Sequence, residues 1–216
     1  MTILALDTTS EFGSLAVRTN GQTSAEIALH SPEGFAHLIF PAIDKLLAGA
    51  EIALGDIDRF AAASGPGSFT GVRVGLAAVK GLAEAMGKPA VGVSNLRALA
   101  SFVNLPLRAV WLDARRGQVY AAVYNSKLKP VVPEAVLEFG VWLESLDAPE
   151  YEFIAEAKLR ASLGGTRFAG MPFLEAPRNL ASAVAYCAEI SPGFDPAVLD
   201  ANYVRRSDAE LFWKDN

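Results

Sequence analysis

Short apolar runs and helical spacing alternate along the chain in an order that predicts a mixed α/β protein. Residues 3–6 form an apolar run that meets Asp7, residues 8–13 read as a turn, and residues 14–19 and 23–29 read as two further strands. Asn20-Gly21 joins these two as a tight hairpin, because both central positions of such a turn take positive φ. The chain therefore opens with a meander. After a loop at 30–34, residues 35–48 place Leu38, Ile39, Ala42, Ile43, Leu46 and Leu47 on one broad face, the spacing of a helix. Pro41 lies inside it and is expected to kink it or to mark a false start. A strand at Arg59–Ala63, a helix over 72–86 closed by Gly87 and Pro89, and a strand at Ala90–Val93 follow. Ser94 then caps a short helix running to about residue 102.

Asn104-Leu105-Pro106 is the best boundary, dividing the chain into an N-terminal lobe, 1–104, and a smaller C-terminal lobe, 105–216. Past it come a strand at 108–112 ending at Asp113, a turn at 114–117 and a strand at 118–124 rich in aromatic and β-branched residues. Patterning is weak between 127 and 176; a helix near 141–146, a strand at 151–155 and a helix at 179–190 are expected, with mixed aromatic and charged residues at 203–213. One echo stands out. Ile3-Leu4-Ala5-Leu6-Asp7, a turn and the strand after Gly13 recur as Val110-Trp111-Leu112-Asp113, a shorter turn and the strand after Gly117. That suggests a duplicated lobe built on a strand–Asp–turn–strand hairpin, the arrangement by which actin-like and sugar-kinase-like ATPases hold Mg-phosphate.

Ser64-Gly65-Pro66-Gly67-Ser68-Phe69-Thr70-Gly71 links a predicted strand to a predicted helix. Its glycines permit backbone geometry closed to other residues, and amides at a helix start can cradle an anion. A Walker A loop needs Gly-Lys-Ser/Thr, but Val72-Arg73 follows the last glycine. The dinucleotide fingerprint needs a tighter spacing and an acid after the next strand, where Ser94 stands. The loop therefore reads as a rigid turn, capped by Ser68 or Thr70, that launches the following helix. Asp7 and Asp113 could coordinate Mg²⁺ or accept hydrogen bonds from their own turns. The flanking Thr8-Thr9 and Ala114-Arg115, where ATP-binding relatives carry glycine, favour the turns.

Totals narrow the function. The chain is 51% hydrophobic with a mean hydropathy of +0.26, and lacks an apolar run of the roughly 18 residues that span a bilayer. Its N-terminus reads as a core strand rather than a signal peptide, and its one cysteine, Cys187, sits in an apolar helical pattern, an inert core thiol suited to a reducing cytoplasm. Net charge is −5, so nucleic acid would be gripped mainly by another chain; the basic doublets are Arg115-Arg116 and Arg205-Arg206. His30 and His37 lack the i, i+4 spacing of a metal pair, and Ser64 and Ser68 lack a nucleophile elbow, which disfavours a metal site and a peptidase. The helices at 35–48 and 72–86 look too apolar for solvent. Ala77, Gly81 and Ala85 form a ridge of small residues that admits close helix approach. Both point to a protein–protein interface.

These residues resemble one family. Met1-Thr2-Ile3-Leu4-Ala5-Leu6-Asp7-Thr8-Thr9-Ser10, the loop from Gly65 through Gly71 to Gly75, Val93-Ser94-Asn95-Leu96-Arg97, Asp113-Ala114-Arg115-Arg116-Gly117-Gln118-Val119-Tyr120 and Tyr203-Val204-Arg205-Arg206 follow in the order of the bacterial TsaB (YeaZ) family. The resemblance implies an actin-like ATPase (ribonuclease H-like) fold of two lobes, each a mixed sheet flanked by helices, with a nucleotide cleft reduced to a vestige around Asp7, Thr8, Gly67, Ser68 and Asp113. It implies no catalytic residues, metal or required cofactor. It implies a cytoplasmic subunit of the machinery that forms N6-threonylcarbamoyladenosine at position 37 of tRNAs reading codons that begin with A. Such a subunit binds TsaD, helps recruit the ATPase TsaE, and is a homodimer when alone. The interface would use the first two helices, here Phe35, Leu38, Ile39, Ala42, Val72, Val74, Gly75, Ala78 and Leu82. Phe35 stands where relatives often carry a histidine, which makes that surface more apolar. The competing expectation is a small Mg-ATP-dependent ATPase or kinase working through Asp7 and Asp113.

Overall fold

The structure, a computed structural model, describes residues 1–204; the expectation for the C-terminal segment from Arg205 onward lies outside them. One sheet contains β1 (Thr2–Asp7), β2 (Phe12–Thr19), β3 (Gln22–His30), β4 (Arg59–Ala63) and β5 (Ala90–Val93) in the order β3-β2-β1-β4-β5. The other contains β6 (Leu107–Asp113), β7 (Gln118–Asn125), β8 (Pro130–Glu138), β9 (Glu152–Ala155) and β10 (Phe173–Glu175) in the order β10-β9-β6-β7-β8. In the first sheet β1–β2 and β2–β3 pair antiparallel, while β1–β4 and β4–β5 pair parallel. The second sheet repeats this step for step, antiparallel for β6–β7 and β7–β8 and parallel for β6–β9 and β9–β10. The echo in sequence is thus a duplication in topology, and the two mixed sheets with their flanking helices make the actin-like α/β fold.

Local chemistry explains most element ends. Asn20 and Gly21 take φ of 51° and 82° at the β2–β3 hairpin. Helix α1 (Ile39–Gly49) starts at Ile39 rather than at residue 35, so Pro41 falls in its first turn, where a missing N–H costs nothing, and causes no kink. Helix α2 (Phe69–Met86) starts ahead of the expected Val72, with Ser68 as N-cap accepting from the Gly71 amide. Short helices α3 (Asn95–Ala100) and α4 (Phe139–Ser145) follow β5 and β8. Strands β8 and β10 were not expected. Pro130, Pro133 and Glu134 mask the alternation of β8, and such residues are tolerated there because β8 is an edge strand.

Compact packing divides the chain differently from the expected cut at 104/105. One unit comprises residues 1–98 with 177–202, and the other centres on 99–176. The cause is helix α5 (Ala181–Glu189), which returns to the first sheet and packs on β1, β2 and β4. Its buried side, Ala181, Ala183, Val184, Ala185, Cys187 and Ala188, is small enough to lie close on strands. Polar ties fix it: Ser14 Oγ accepts from the Ala181 amide at 3.0 Å, Arg18 pairs with Glu189 at 2.8 Å, and Arg59 donates to the Ala188 and Ser191 carbonyls at 2.6 and 2.7 Å.

The cores of the two units differ in kind. The first is mainly aliphatic, with Leu4, Leu6, Leu15, Ile39, Ile43, Leu46 and Val79 packed around Phe60. The second, with shorter helices, is filled by Trp111, Trp142, Tyr151, Phe153 and Phe168; Trp111 lies 5.5 Å from Trp142 and 5.6 Å from Phe153 between ring centroids. Large rings, each burying about 150–250 Å², suit a unit that has few residues with which to make a core.

Candidate functional site

In the first unit the Asp7 turn and the glycine loop are one structure. Parallel pairing of β1 with β4 brings both turns to the same edge of the sheet. Asp7 Oδ1 accepts from the Thr9 amide at 3.0 Å and the Thr9 hydroxyl at 2.6 Å. That hydroxyl in turn accepts from Asn95 Nδ2 at 2.6 Å, and Asn95 Oδ1 accepts from the Gly65 amide at 3.1 Å. The Thr9 carbonyl takes the Ser68 amide at 2.7 Å, and the Thr8 hydroxyl donates to the Gly71 carbonyl at 2.7 Å. Asp7, Thr8, Thr9, Ser64 and Asn95 are all buried. A buried polar chain of this kind is favourable only when each member has a partner.

The glycines are needed for this contact. A Cβ on Gly71 would stand 2.0 Å from the Thr8 carbonyl oxygen, one on Gly67 2.6 Å from the Thr9 carbonyl oxygen, and one on Gly75 2.5 Å from the Thr8 hydroxyl. The loop therefore serves to let the Asp7-Thr8-Thr9 backbone lie directly against the start of α2. Four of its donors are committed: the amides of Gly65, Ser68, Gly71 and Val72 donate within the protein.

Burial pushes the Asp7 carboxyl above the usual carboxylate range, against the opposing pull of its hydrogen bonds from Thr9. Of the expected cleft residues, then, Asp7, Thr8, Gly67 and Ser68 come together in the first unit. Asp113 belongs to the second, and is exposed. Its Oδ1 accepts from the Arg115 amide at 2.7 Å, and its Oδ2 meets Lys158 Nζ at 3.4 Å; Lys158 also pairs with Glu156 at 2.9 Å. Thr9, Asn95 and Lys158 were not singled out from sequence. For Asn95 a signal existed, a polar residue directly after an apolar strand and at a helix start. For Lys158 none did.

The expected interface residues are placed otherwise than expected. Phe35, Ile39, Ala42, Val72, Gly75 and Ala78 are buried in the chain's own core, and Leu38, Val74 and Leu82 are half-buried at its rim. Phe35 lies against Gly13, whose Cβ would come within 2.8 Å of its ring. The apolar excess of both helices is thus satisfied by their own sheet. The outer side of α1 includes Phe40, Asp44, Lys45 and Ala48, and that of α2 includes Phe69, Arg73, Ala77, Gly81, Glu84 and Ala85. Phe40 and Phe69 are 53% and 52% exposed, and the Arg73 guanidinium lies 3.6 Å over the Phe69 ring.

Cys187 is fully buried, and burial pushes its thiol up to about 11, which keeps it protonated at neutral pH. His30 stacks on Phe12 at 4.7 Å. Among the described residues no group of three His, Cys, Asp or Glu is placed to hold a metal, and no helix is long and apolar enough to cross a membrane.

The model of the tRNA N6-adenosine threonylcarbamoyltransferase family, TsaD, matches residues 30–195. The tRNA threonylcarbamoyladenosine biosynthesis protein TsaB of Bacillus subtilis is 32% identical, over 99% of this chain and 98% of that one. A Pseudomonas aeruginosa crystal structure, of a protein described as similar to the peptidase YeaZ, superposes with a TM-score of 0.78 at 25% identity, covering 94% of this chain and 99% of that chain. Component A of (R)-2-hydroxyglutaryl-CoA dehydratase from Acidaminococcus fermentans shares the fold, with a TM-score of 0.55 at 9% identity over 88% of this chain and 100% of that chain.

Proposed function

The chain belongs to the TsaB (YeaZ) family, and so to the biosynthesis of threonylcarbamoyladenosine in tRNA; from that premise we propose that it is a non-catalytic subunit that docks on the threonylcarbamoyltransferase TsaD. Docking uses the outer faces of α1 and α2, with Phe40 and Phe69 as anchors and Ala77, Gly81 and Ala85 admitting a partner helix. Half-buried Leu38, Val74 and Leu82 contribute at the rim. The same face closes a homodimer when the partner is absent. The docked pair presents a surface to TsaE, holds tRNA mainly through the other subunit, and works in the cytoplasm. No cofactor of its own is required.

The observation that carries this reading is the engagement of four glycine-loop amides, those of Gly65, Ser68, Gly71 and Val72, with Asn95, Thr9 and Ser68. A nucleotide-binding turn keeps such donors available for phosphate, whereas here they hold α2 against the Asp7 turn. Ser68, the candidate nucleophile of a peptidase, likewise has its hydroxyl engaged as a helix cap.

Sedimentation velocity of the purified chain mixed with TsaD tests the proposal. A complex is expected at micromolar concentration, and Ala77→Arg should abolish it while leaving thermal unfolding unchanged. A well-folded wild-type chain that forms no complex would sink the reading. Tight binding of Mg-ATP by calorimetry, lost in Asp7→Ala, would replace it with an ATPase.

A further inference from the structure

The basic doublet Arg115-Arg116 has no part in the function above. It forms the tip of the β6–β7 hairpin. Arg115, Arg116 and Gly117 take φ of 63°, 54° and 76°, three successive left-handed residues. Glycine adopts that backbone freely, but an arginine does so against the clash of its Cβ with the following carbonyl. The tip is held firmly: Asp113 Oδ1 accepts from the Arg115 amide at 2.7 Å, the Arg115 carbonyl accepts from the Gln118 amide at 3.0 Å, and the Gln118 carbonyl from the Ala114 amide at 3.0 Å.

Both arginine side chains are exposed, and neither guanidinium has a hydrogen-bond or ion-pair partner among the described residues. The acids of this corner, Asp113 and Glu156, are both engaged by Lys158. Two fork-shaped cations are therefore presented on a fixed turn in an unfavourable backbone conformation, with no ionic partner among the described residues.

We propose that the Arg115-Arg116 tip contacts the phosphate backbone of the tRNA, as a two-point prong that adds to the grip of the partner subunit. The proposal rests on the reading of the chain as a subunit of a tRNA-modifying assembly. Guanidinium groups match phosphate oxygens bidentately. Arginine anchors in protein interfaces work together with aromatic groups in desolvated pockets, and the tip offers no apolar companion, since Ala114 and Val119 beside it are buried. A net charge of −5 fits a local contact in place of a broad basic face.

Fluorescein-labelled tRNA is titrated with the full chain alone, and with the chain mixed with TsaD, from 50 to 200 mM salt. Arg115→Ala/Arg116→Ala and Arg115→Gly/Arg116→Gly are compared with wild type. Loss of two phosphate contacts should lower the slope of log K against log salt by about 1.4 to 1.8 and weaken binding about tenfold or more at the low-salt end. Association with TsaD should not change. The glycine pair relieves the left-handed backbone, so it should match or exceed wild type in thermal stability while losing the same tRNA affinity. Unchanged affinity and slope in both variants would overturn the proposal. So would a loss confined to association with TsaD, which would make the tip a protein-docking element. If wild type fails to associate with TsaD, the functional reading fails by itself, and the slope for the chain alone still decides the tip.

Discussion

Asp7 and Asp113 close equivalent strands of a duplicated sheet, and their surroundings are opposite. Asp7 is buried under the glycine loop and the start of α2, with Thr9 and Asn95 completing a hydrogen-bonded chain. Asp113 is exposed, and its carboxylate meets the Arg115 amide and Lys158. The element after the fourth strand makes the difference. After β4 the chain runs through Gly65 and Gly67 into the long α2, and with Gly71 in its first turn α2 can lie on the Asp7 turn. After β9 it makes a tight 3₁₀ turn, Ala157–Leu163, which reaches Asp113 only through the Lys158 side chain. Duplication preserved the strands, and the covering segment decided whether the aspartate became part of the core.

The sharpest way to break this asymmetry is to fill the contact. Gly71→Val places a side chain where a backbone oxygen already stands, and should cost about 3 kcal/mol or more by urea denaturation. By contrast, Gly117→Ala at the β6–β7 tip meets no atom within 4 Å and should cost only the left-handed penalty, about 1–2 kcal/mol.

Next comes the polar chain. Thr9→Val keeps the shape and leaves Asp7 and Asn95 short of partners, for an expected loss of about 1–3 kcal/mol. Lys158→Ala, which removes the exposed partner of Asp113, should cost less than about 1 kcal/mol. Ser68→Ala, removing the α2 cap, should fall between them at about 1 kcal/mol.

Another effect is one of pH. Burial raises the folded-state affinity of Asp7 for its proton, so the associated stability is present below the carboxylate's ordinary range and is lost as pH rises through the folded value. Asp7→Asn does not titrate there. Its stability relative to wild type should therefore increase with pH across that window, in paired denaturation curves. A relative stability that falls with pH would mean that the charged form of Asp7 is the favoured one.

Much of the fold could be read in the chain because its signals were local: apolar runs ending at Asp7 and Asp113, Asn20-Gly21 at a hairpin, Gly87 after a helix. The echo between the lobes held more than was drawn from it. A third meander strand after β2 implies one after β7, and β8 lies there, hidden by Pro130 and Pro133. The return of α5 to the first sheet had no local signal, since it depends on Arg59 and Ser14, more than a hundred residues away. The apolar residues of α1 and α2 read in sequence as cover for a partner, whereas the structure packs them on the chain's own core. Periodicity shows that a face is buried and cannot say against what. The role of the glycine loop is three-dimensional for the same reason, because the requirement comes from Thr8 and Thr9, a separate stretch of sequence.

The most direct test of Asp7 as a structural residue is the rate of tRNA threonylcarbamoylation by the reconstituted assembly carrying Asp7→Asn. Asparagine can accept both Thr9 hydrogen bonds, so the account predicts a folded, associated subunit and a wild-type rate. A folded and associated variant whose rate falls by orders of magnitude would contradict it, and would place Asp7 in the chemistry.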